Sequence, residues 1–173
     1  MAISYRLAQI DDVQPVVNLI NSAYRGETSR AGWTSVVDIL DGGRTTLEEV
    51  SDLIQSEEAF FLLSFEENQL IGCILAEKKY QKIRFGMFAT KPTLQGRGLG
   101  KQLLEQAEQQ VKEKWNIFHF EMVMISCRKE LLDYYERRGY FYSGKTLPFP
   151  LNPDLWTPKV SDLKLEIIDK KED

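Results

Sequence analysis

Six consecutive residues, Gln95-Gly96-Arg97-Gly98-Leu99-Gly100, carry the most specific chemistry in the sequence. An extended apolar run ending at Thr90 precedes them, Pro92 breaks that run, and a helical pattern starts at Leu99. A strand, a tight turn and a helix in succession gather unpaired backbone N–H groups at the positive end of a helix dipole. Such a point binds phosphate. Gly96, Gly98 and Gly100 let the main chain approach an anion with no Cβ in the way, and Arg97 and Lys101 add positive charge beside it. The turn lacks the lysine and Ser/Thr of the nucleotide triphosphate loop, and it follows an antiparallel meander instead of a parallel βαβ unit. Taken alone, it serves equally well as a plain strand-to-helix connection.

A second motif lies downstream, Tyr135-Glu136-Arg137-Arg138-Gly139-Tyr140. With it, the chain resembles the GNAT superfamily of acetyl-CoA-dependent N-acetyltransferases. Gln95, Gly98 and Gly100 match that family's pyrophosphate pattern Gln/Arg-x-x-Gly-x-Gly/Ala, and the second motif matches its Tyr-Glu-x-x-Gly-Tyr/Phe element. The likeness covers about residues 3 to 145. It implies acetyl-CoA as cofactor, a sheet that splays beside the strand before the turn, and a pantetheine arm laid along Met87, Phe88, Ala89 and Thr90. One position departs from the pattern. Many relatives carry asparagine seven positions before the tyrosine, where this chain has Arg128, which either reaches a CoA phosphate or stays solvated.

Acetyl transfer to an amine needs an unprotonated nucleophile, stabilisation of the developing oxyanion and a proton for the departing thiolate. The cofactor brings the activated acyl group, so no covalent nucleophile is required of the protein. The resemblance implies a backbone N–H near Phe88 or Ala89 for the oxyanion and Tyr135 for the thiolate, with Tyr134 as its rival. A phenol of reference pKa about 10 faces a thiol of about 8.5, so complete proton transfer is uphill by ~2 kcal/mol, and hydrogen bonding to the developing thiolate is the less costly alternative. Glu121, Glu77 and the single histidine, His119, are candidate bases on or near strands, His119 having a structural reading as well. For the acceptor, Arg25, Arg30 and Arg44 cluster with Tyr24 and Trp33 around glycines in an irregular segment. Guanidinium forks suit a carboxylate and aromatics cover an apolar body, so the expected substrate is a small amine bearing an acidic group. The alternatives are a protein N-terminal or lysine acetyltransferase and a non-catalytic acyl-CoA-binding module.

The elements that must position these residues follow from periodicity. Ile3 to Leu7 reads as a strand, and Val13, Val16, Val17 and Ile20 recur at helical spacing with Pro15 early enough to be tolerated. A loop-rich stretch follows, with a possible short helix from Thr34 to Leu40, and then Leu47, Val50, Leu53 and Ile54 form a helical apolar face. Ala59 to Phe65 and Leu70 to Ala76 predict a hairpin, Lys82 to Thr90 a third strand, and Leu99 to about Lys114 a helix. Phe118 to Ile125 predicts a strand, Glu130 to Arg138 a helix stopped by Gly139, and Tyr140 to Ser143 the start of another strand. Leu147-Pro148-Phe149-Pro150 and Pro153 predict a surface crossing, Leu163 to Ile167 a last strand, and Lys170-Lys171-Glu172-Asp173 a frayed tail. The fold class is α/β of the α+β type: a mixed, predominantly antiparallel twisted sheet with helices on both faces, in one domain over residues 1 to 173.

A chain of 173 residues with 43% hydrophobic residues buries a proper core. Its net charge of -4, from 26 acidic and 22 basic side chains, speaks against nucleic acid or anionic membrane as partners. The start of the chain lacks the pattern of a secretory signal, and no run approaches the roughly 18 apolar residues of a membrane span, so a cytoplasmic location is expected. Cys73 and Cys127 sit in apolar, strand-like contexts and read as packed thiols, not as a metal site or disulfide framework. The proline-rich crossing and the last strand offer an edge for pairing, which leaves monomer and homodimer both open.

Overall fold

The structure is a computed structural model, and it describes residues 2–24, 40–42, 45–94, 96–125, 129–148, 156–158 and 164–172. Strand β1 (Ile3–Leu7) leads through a single 3-10 turn into helix α1 (Val13–Tyr24). The turn is fixed by Asp12, whose carboxylate accepts the Gln9 backbone N–H at 2.7 Å and pairs with both Arg6 terminal nitrogens at 2.7 and 2.9 Å. A short strand β2 (Leu40–Gly42) precedes helix α2 (Leu47–Gln55), which Thr46 caps by accepting the Glu49 N–H. Strands β3 (Ala59–Glu66), β4 (Gln69–Lys79) and β5 (Lys82–Thr90) form a meander. After it come α3 (Leu99–Trp115), β6 (His119–Ile125), α4 (Lys129–Glu136), β7 (Phe141–Pro148), β8 (Trp156–Pro158) and β9 (Lys164–Lys171).

Seven strands make one sheet in the order β1-β3-β4-β5-β6-β9-β7, and β2 pairs with β8 in a separate ribbon. Every pairing in the large sheet is antiparallel except β5 with β6. That parallel pair is brief, joining Ile83, Arg84 and Phe85 to Phe120, Glu121 and Met122. Beyond it the two strands run on without pairing. One core lies on each side of the sheet. Leu103, Leu104, Ala107 and Val111 of α3 and Tyr135 of α4 pack on Phe60, Ile74, Phe85 and Phe120. On the other side α1 and α2 bring Val16, Ile20 and Val50 against Phe61, Leu75, Met87 and Ala89.

The mixed sheet with helices on both faces agrees with the expectation from sequence, but the C-terminal third differs in detail. Lys170 and Lys171 belong to β9 and do not fray. The cause is a buried carboxylate: Glu108 of α3 accepts the Tyr140 hydroxyl at 2.6 Å and the Lys170 ammonium at 3.1 and 3.3 Å, while Glu172 pairs with Lys170 and Lys112. An unpaired buried carboxylate would be strongly disfavoured, so Glu108 holds the end of β9 in place. Burial, with Glu108 alongside, pushes the Tyr140 phenol well above its ordinary pKa and keeps it a proton donor to that carboxylate. Leu147 and Pro148 do not begin a crossing; they close β7, opposite Leu165 and Lys164. Proline is tolerated there because β7 is the sheet edge. The last strand is therefore interior, between β6 and β7, and offers no edge for a partner. Leu40, the expected end of a short helix, starts β2, and the rest of that stretch lies outside the described residues.

Candidate functional site

The glycine turn opens on a cavity of about 570 Å³ between α3 and α4. Gly96 and Gly98 adopt φ of 93° and 77°, the left-handed region in which an L side chain is strained, and a Cβ built on either would point into open space. Gly98 is the N-cap of α3, a 17-residue helix whose first N–H groups and dipole are directed at the turn. Phe88 and Thr90 of β5, with Leu99, Tyr134 and Tyr135, make the rest of the floor and an apolar wall. Main-chain donors at one end and an aromatic, apolar lining at the other fit a cofactor with a diphosphate and a long pantetheine arm.

A bulge decides which residues of β5 face that cavity. Leu75 pairs with Gly86 and Cys73 with Ala89, so Met87 and Phe88 together oppose Ile74, and Met87 takes a φ of 43°. One extra residue reverses the alternation of side chains. Ile83 and Phe85 point to the α3/α4 core, whereas after the bulge Met87 and Ala89 point to the α1/α2 core and Phe88 and Thr90 to the cavity. Of the four residues expected to line the cofactor, two do so by side chain. The bulge also stands where β5 and β6 stop pairing, the splay expected beside the turn. Cys73 donates its thiol to the Met87 carbonyl at 3.4 Å, and burial pushes its pKa up to about 12, so it is packed and unreactive.

Tyr134 and Tyr135 both reach the cavity wall, from adjacent positions on α4. Gly139, at φ 93°, ends that helix, and the Tyr140 N–H bonds back to the Tyr135 carbonyl at 3.1 Å, which locks the last turn. Tyr135 is buried and packs against Phe88, Tyr134 and Tyr140 at centroid separations of 6.3, 5.2 and 6.2 Å. The Tyr134 hydroxyl sits over Gly100, 3.1 Å from where a Cβ would be. Burial raises the Tyr134 pKa despite the guanidinium of Arg138 stacked 3.9 Å from its ring centroid.

Glu121 lies on the opposite face of the sheet, since its neighbours Phe120 and Met122 belong to the α3/α4 core. Its side chain is 2% exposed and is held by Arg84 at 2.9 and 3.0 Å and by Lys82 at 3.0 Å. Glu77 is on the same row, across from Arg84, and pairs with Lys79 at 3.5 Å. Both expected carboxylates thus gather beside the last paired residues of β5 and β6, on the face away from Tyr135. His119 is drawn off to Asp169 at 3.1 Å, towards the far end of the sheet, where it lines another cavity with Tyr80 and Trp115.

Arg97 does not point at the cavity. Its guanidinium makes two contacts with the Glu66 carboxylate, at 2.9 and 3.4 Å, and Lys101 is exposed on α3 without lining the wall. Among the described residues the cations on the wall are Arg137 and Arg138, and Glu130 joins them, none of which the sequence pattern assigns to this role. The signal was present, two arginines inside the second motif. Gln95, Arg128, Arg25, Arg30, Trp33, Arg44 and Cys127 lie outside the described residues, and of Tyr24 only its backbone, in α1, is described.

Residues 42–148 match the family model described as an acetyltransferase (GNAT) domain. No curated protein matches the chain significantly. Among solved structures, PaiA N-acetyltransferase from Thermoplasma acidophilum, in complex with coenzyme A, is 20% identical with a TM-score of 0.70, over 99% of this chain and 100% of that one. A ribosomal-protein alanine N-acetyltransferase from Escherichia coli is 10% identical with a TM-score of 0.72, over 98% and 94% of the two chains. A spermidine N-acetyltransferase chimera from Vibrio cholerae is 15% identical with a TM-score of 0.69, over 99% and 96%. Turn, splay, tyrosine motif and family model coincide on one sheet, and the chain belongs to the GNAT acetyltransferase family, with acetyl-CoA as its acyl donor.

Proposed function

We propose that the enzyme transfers an acetyl group to the primary amine of a small, carboxylate-bearing metabolite by direct attack of that amine. The observation that carries this reading is the Lys82–Glu121–Arg84 cluster next to the splay, on the face opposite the cofactor cavity. Two cations, with side chains 32% and 34% exposed, surround one buried carboxylate, which leaves net positive charge turned to solvent. A guanidinium beside an ammonium suits an acceptor carboxylate. Tyr24, Arg30, Trp33 and Arg44 complete the acceptor pocket in this reading. The solved neighbours carry names that range from a protein alanine to spermidine, so likeness of fold does not choose among acceptors.

Bound acetyl-CoA supplies an acyl carbon already activated as a thioester, and the chain's own residues bind, orient and move protons. The main-chain N–H groups of Gly96 to Gly100 would hold the diphosphate, with Gln95 and Arg128 beside them, and a backbone N–H near Phe88 or Ala89, next to the bulge, would donate to the acyl oxygen. Glu121, with Glu77 behind it, takes up the proton of the amine directly or through water. Tyr135 gives a proton to the departing sulfur from the other face of the sheet. Acid and base on opposite faces keep the two proton transfers apart. No helix among the described residues is long and apolar enough to cross a membrane. We place the enzyme in the cytoplasm, as a monomer or homodimer.

The test is thiol release with a panel of acceptors. Carboxylate-bearing amines are expected to show kcat/KM at least about tenfold above polyamines, with Arg84→Gln abolishing the difference. Preference for polyamines, or for peptide N-termini and lysines, would replace this reading with another acceptor class.

A further inference from the structure

Among the described residues, five other than glycine take a positive φ, and four of them, Glu67, Asn68, Tyr80 and Asn116, lie in turns or at a helix end. Met87, at 43°, is the one inside a strand. Left-handed backbone is unfavourable for a residue with a side chain and persists only where the surroundings fix it. An extra residue in a strand also displaces backbone groups from the ladder, and a buried carbonyl so displaced needs another donor. Cys73, across from the bulge on β4, supplies it through its thiol, 3.4 Å from the Met87 oxygen. The Ala89 N–H acts on the same sulfur, against the larger effect of burial on its pKa. One side chain thus meets main chain on both sides of Phe88.

Peptide planarity carries that contact across the sheet. The Met87 carbonyl and the Phe88 N–H belong to one peptide unit, which is trans and so directs the two groups oppositely. Cys73 and Met87 are both buried in the α1/α2 core. A carbonyl drawn to the thiol on that side turns the N–H of the same unit towards the other, where the Phe88 side chain lines the cofactor cavity. With the unit reversed, a carbonyl oxygen would face the cavity and repel an acyl oxygen instead of stabilising it. Of the two N–H groups considered for the acyl oxygen, the contact therefore selects that of Phe88, since that of Ala89 lies against the sulfur.

We infer that Cys73 is a positioning residue: its thiol holds the Met87–Phe88 peptide unit in the orientation that aims the Phe88 N–H at the acyl oxygen. The inference rests on the backbone donor proposed above and is independent of the acceptor. Cys73→Val fills the site without a donor and Cys73→Ser keeps one; Cys73→Ala replaces the valine variant should that one not fold. Infrared difference spectra of bound acetyl-CoA, with and without carbon-13 at the acetyl carbonyl, read the hydrogen bond directly. In wild type the thioester carbonyl stretch is expected below its position in buffer, and in Cys73→Val it should move back towards that position. The valine variant should also lose about tenfold in kcat, less than the roughly 100-fold of a donor removed outright, with CoA affinity by calorimetry within about twofold. Cys73→Ser should restore the lowered stretch and bring kcat to within about threefold of wild type. A wild-type stretch no lower than in buffer would overturn the donor and its positioning together. A stretch lowered equally in wild type and Cys73→Val would leave the donor standing and overturn the role of Cys73. So would CoA affinity falling in step with kcat, the sign of a general loss of packing.

Discussion

In the function proposed, the two faces of the sheet recognise their ligands by different means. On the α3/α4 face the diphosphate end of the cavity is built from main chain, three glycines and the start of a helix, with an aromatic wall beyond. On the α1/α2 face the polar cluster is built from side chains of β5 and β6, with Arg84 and Glu121 separated by 37 residues in sequence. A main-chain site depends little on what its neighbours carry, whereas an ion cluster depends on every member. Substitutions should therefore act locally on the first face and collectively on the second.

The sharpest separation is expected from Tyr135→Phe. As the proposed donor to the leaving sulfur, Tyr135 should contribute a factor of about 100 to kcat, with CoA affinity within about twofold of wild type. Tyr134→Phe removes the hydroxyl over Gly100 and should weaken CoA about threefold while leaving kcat nearly unchanged. Steady-state kinetics with calorimetry on both variants checks this, and the reverse pattern would move the acid to Tyr134.

On the other face, Glu121→Ala is expected to lower stability by about 2 kcal/mol. Removing one member of a buried pair costs more when the orphaned charge is buried, and here Lys82 and Arg84 are 32% and 34% exposed, which discounts the loss. In a chain of this size that is a fall in Tm of about 4–8 °C. Glu77→Ala, removing a carboxylate that is 28% exposed and 3.5 Å from Lys79, should stay within about 0.5 kcal/mol. Equal losses at the two positions would mean that Glu121 is not the centre of the cluster. At the turn, Gly98→Val forces an L residue to a φ of 77° and should weaken CoA about tenfold by strain and obstruction, with acceptor KM unchanged.

The same division explains what could be read without coordinates. Glycine spacing encodes a main-chain site, and a helix-stopping Gly139 encodes the end of α4, so turn, tyrosines and flanking elements were legible. Alternation along β5 was not, because the extra residue at Met87–Phe88 reverses the facing of everything after it and no residue type announces that. The cavity's arginines were hidden by similar means: Arg97 lies inside the turn and yet is taken by Glu66, while Arg137 and Arg138 face the cavity from another element. At the C-terminus, a charged tail looked solvated until Glu108, 62 residues away, bound Lys170. Local pattern reports backbone state; it does not report which distant charge a side chain meets.

The smallest effect divides main chain from side chain within the turn itself. Arg97 stands between two glycines of positive φ, yet its guanidinium is spent on Glu66 at the end of β3. The hydrogen bonds from Arg97 hold the Glu66 carboxyl below its usual value of 4.5, with the nearby positive charge adding to them. Any stabilisation from this pair is fully present above the unfolded pKa and is lost as pH falls through the lower folded value, so both charges persist across the neutral range. The pair is exposed, and its effect on stability is small. Its effect on the cofactor is electrostatic, for Glu66 withdraws one cation from the turn and sets an anion near it. Glu66→Gln should tighten CoA about twofold, a gain that shrinks as ionic strength rises and is smaller in an Arg97→Gln background, where only the removal of the anion remains. Arg97→Gln alone should weaken CoA by no more than about twofold, because the amides remain. A tenfold loss in that variant would mean that a side chain, not the main chain, grips the diphosphate, and the contrast between the two faces of the sheet would go with it.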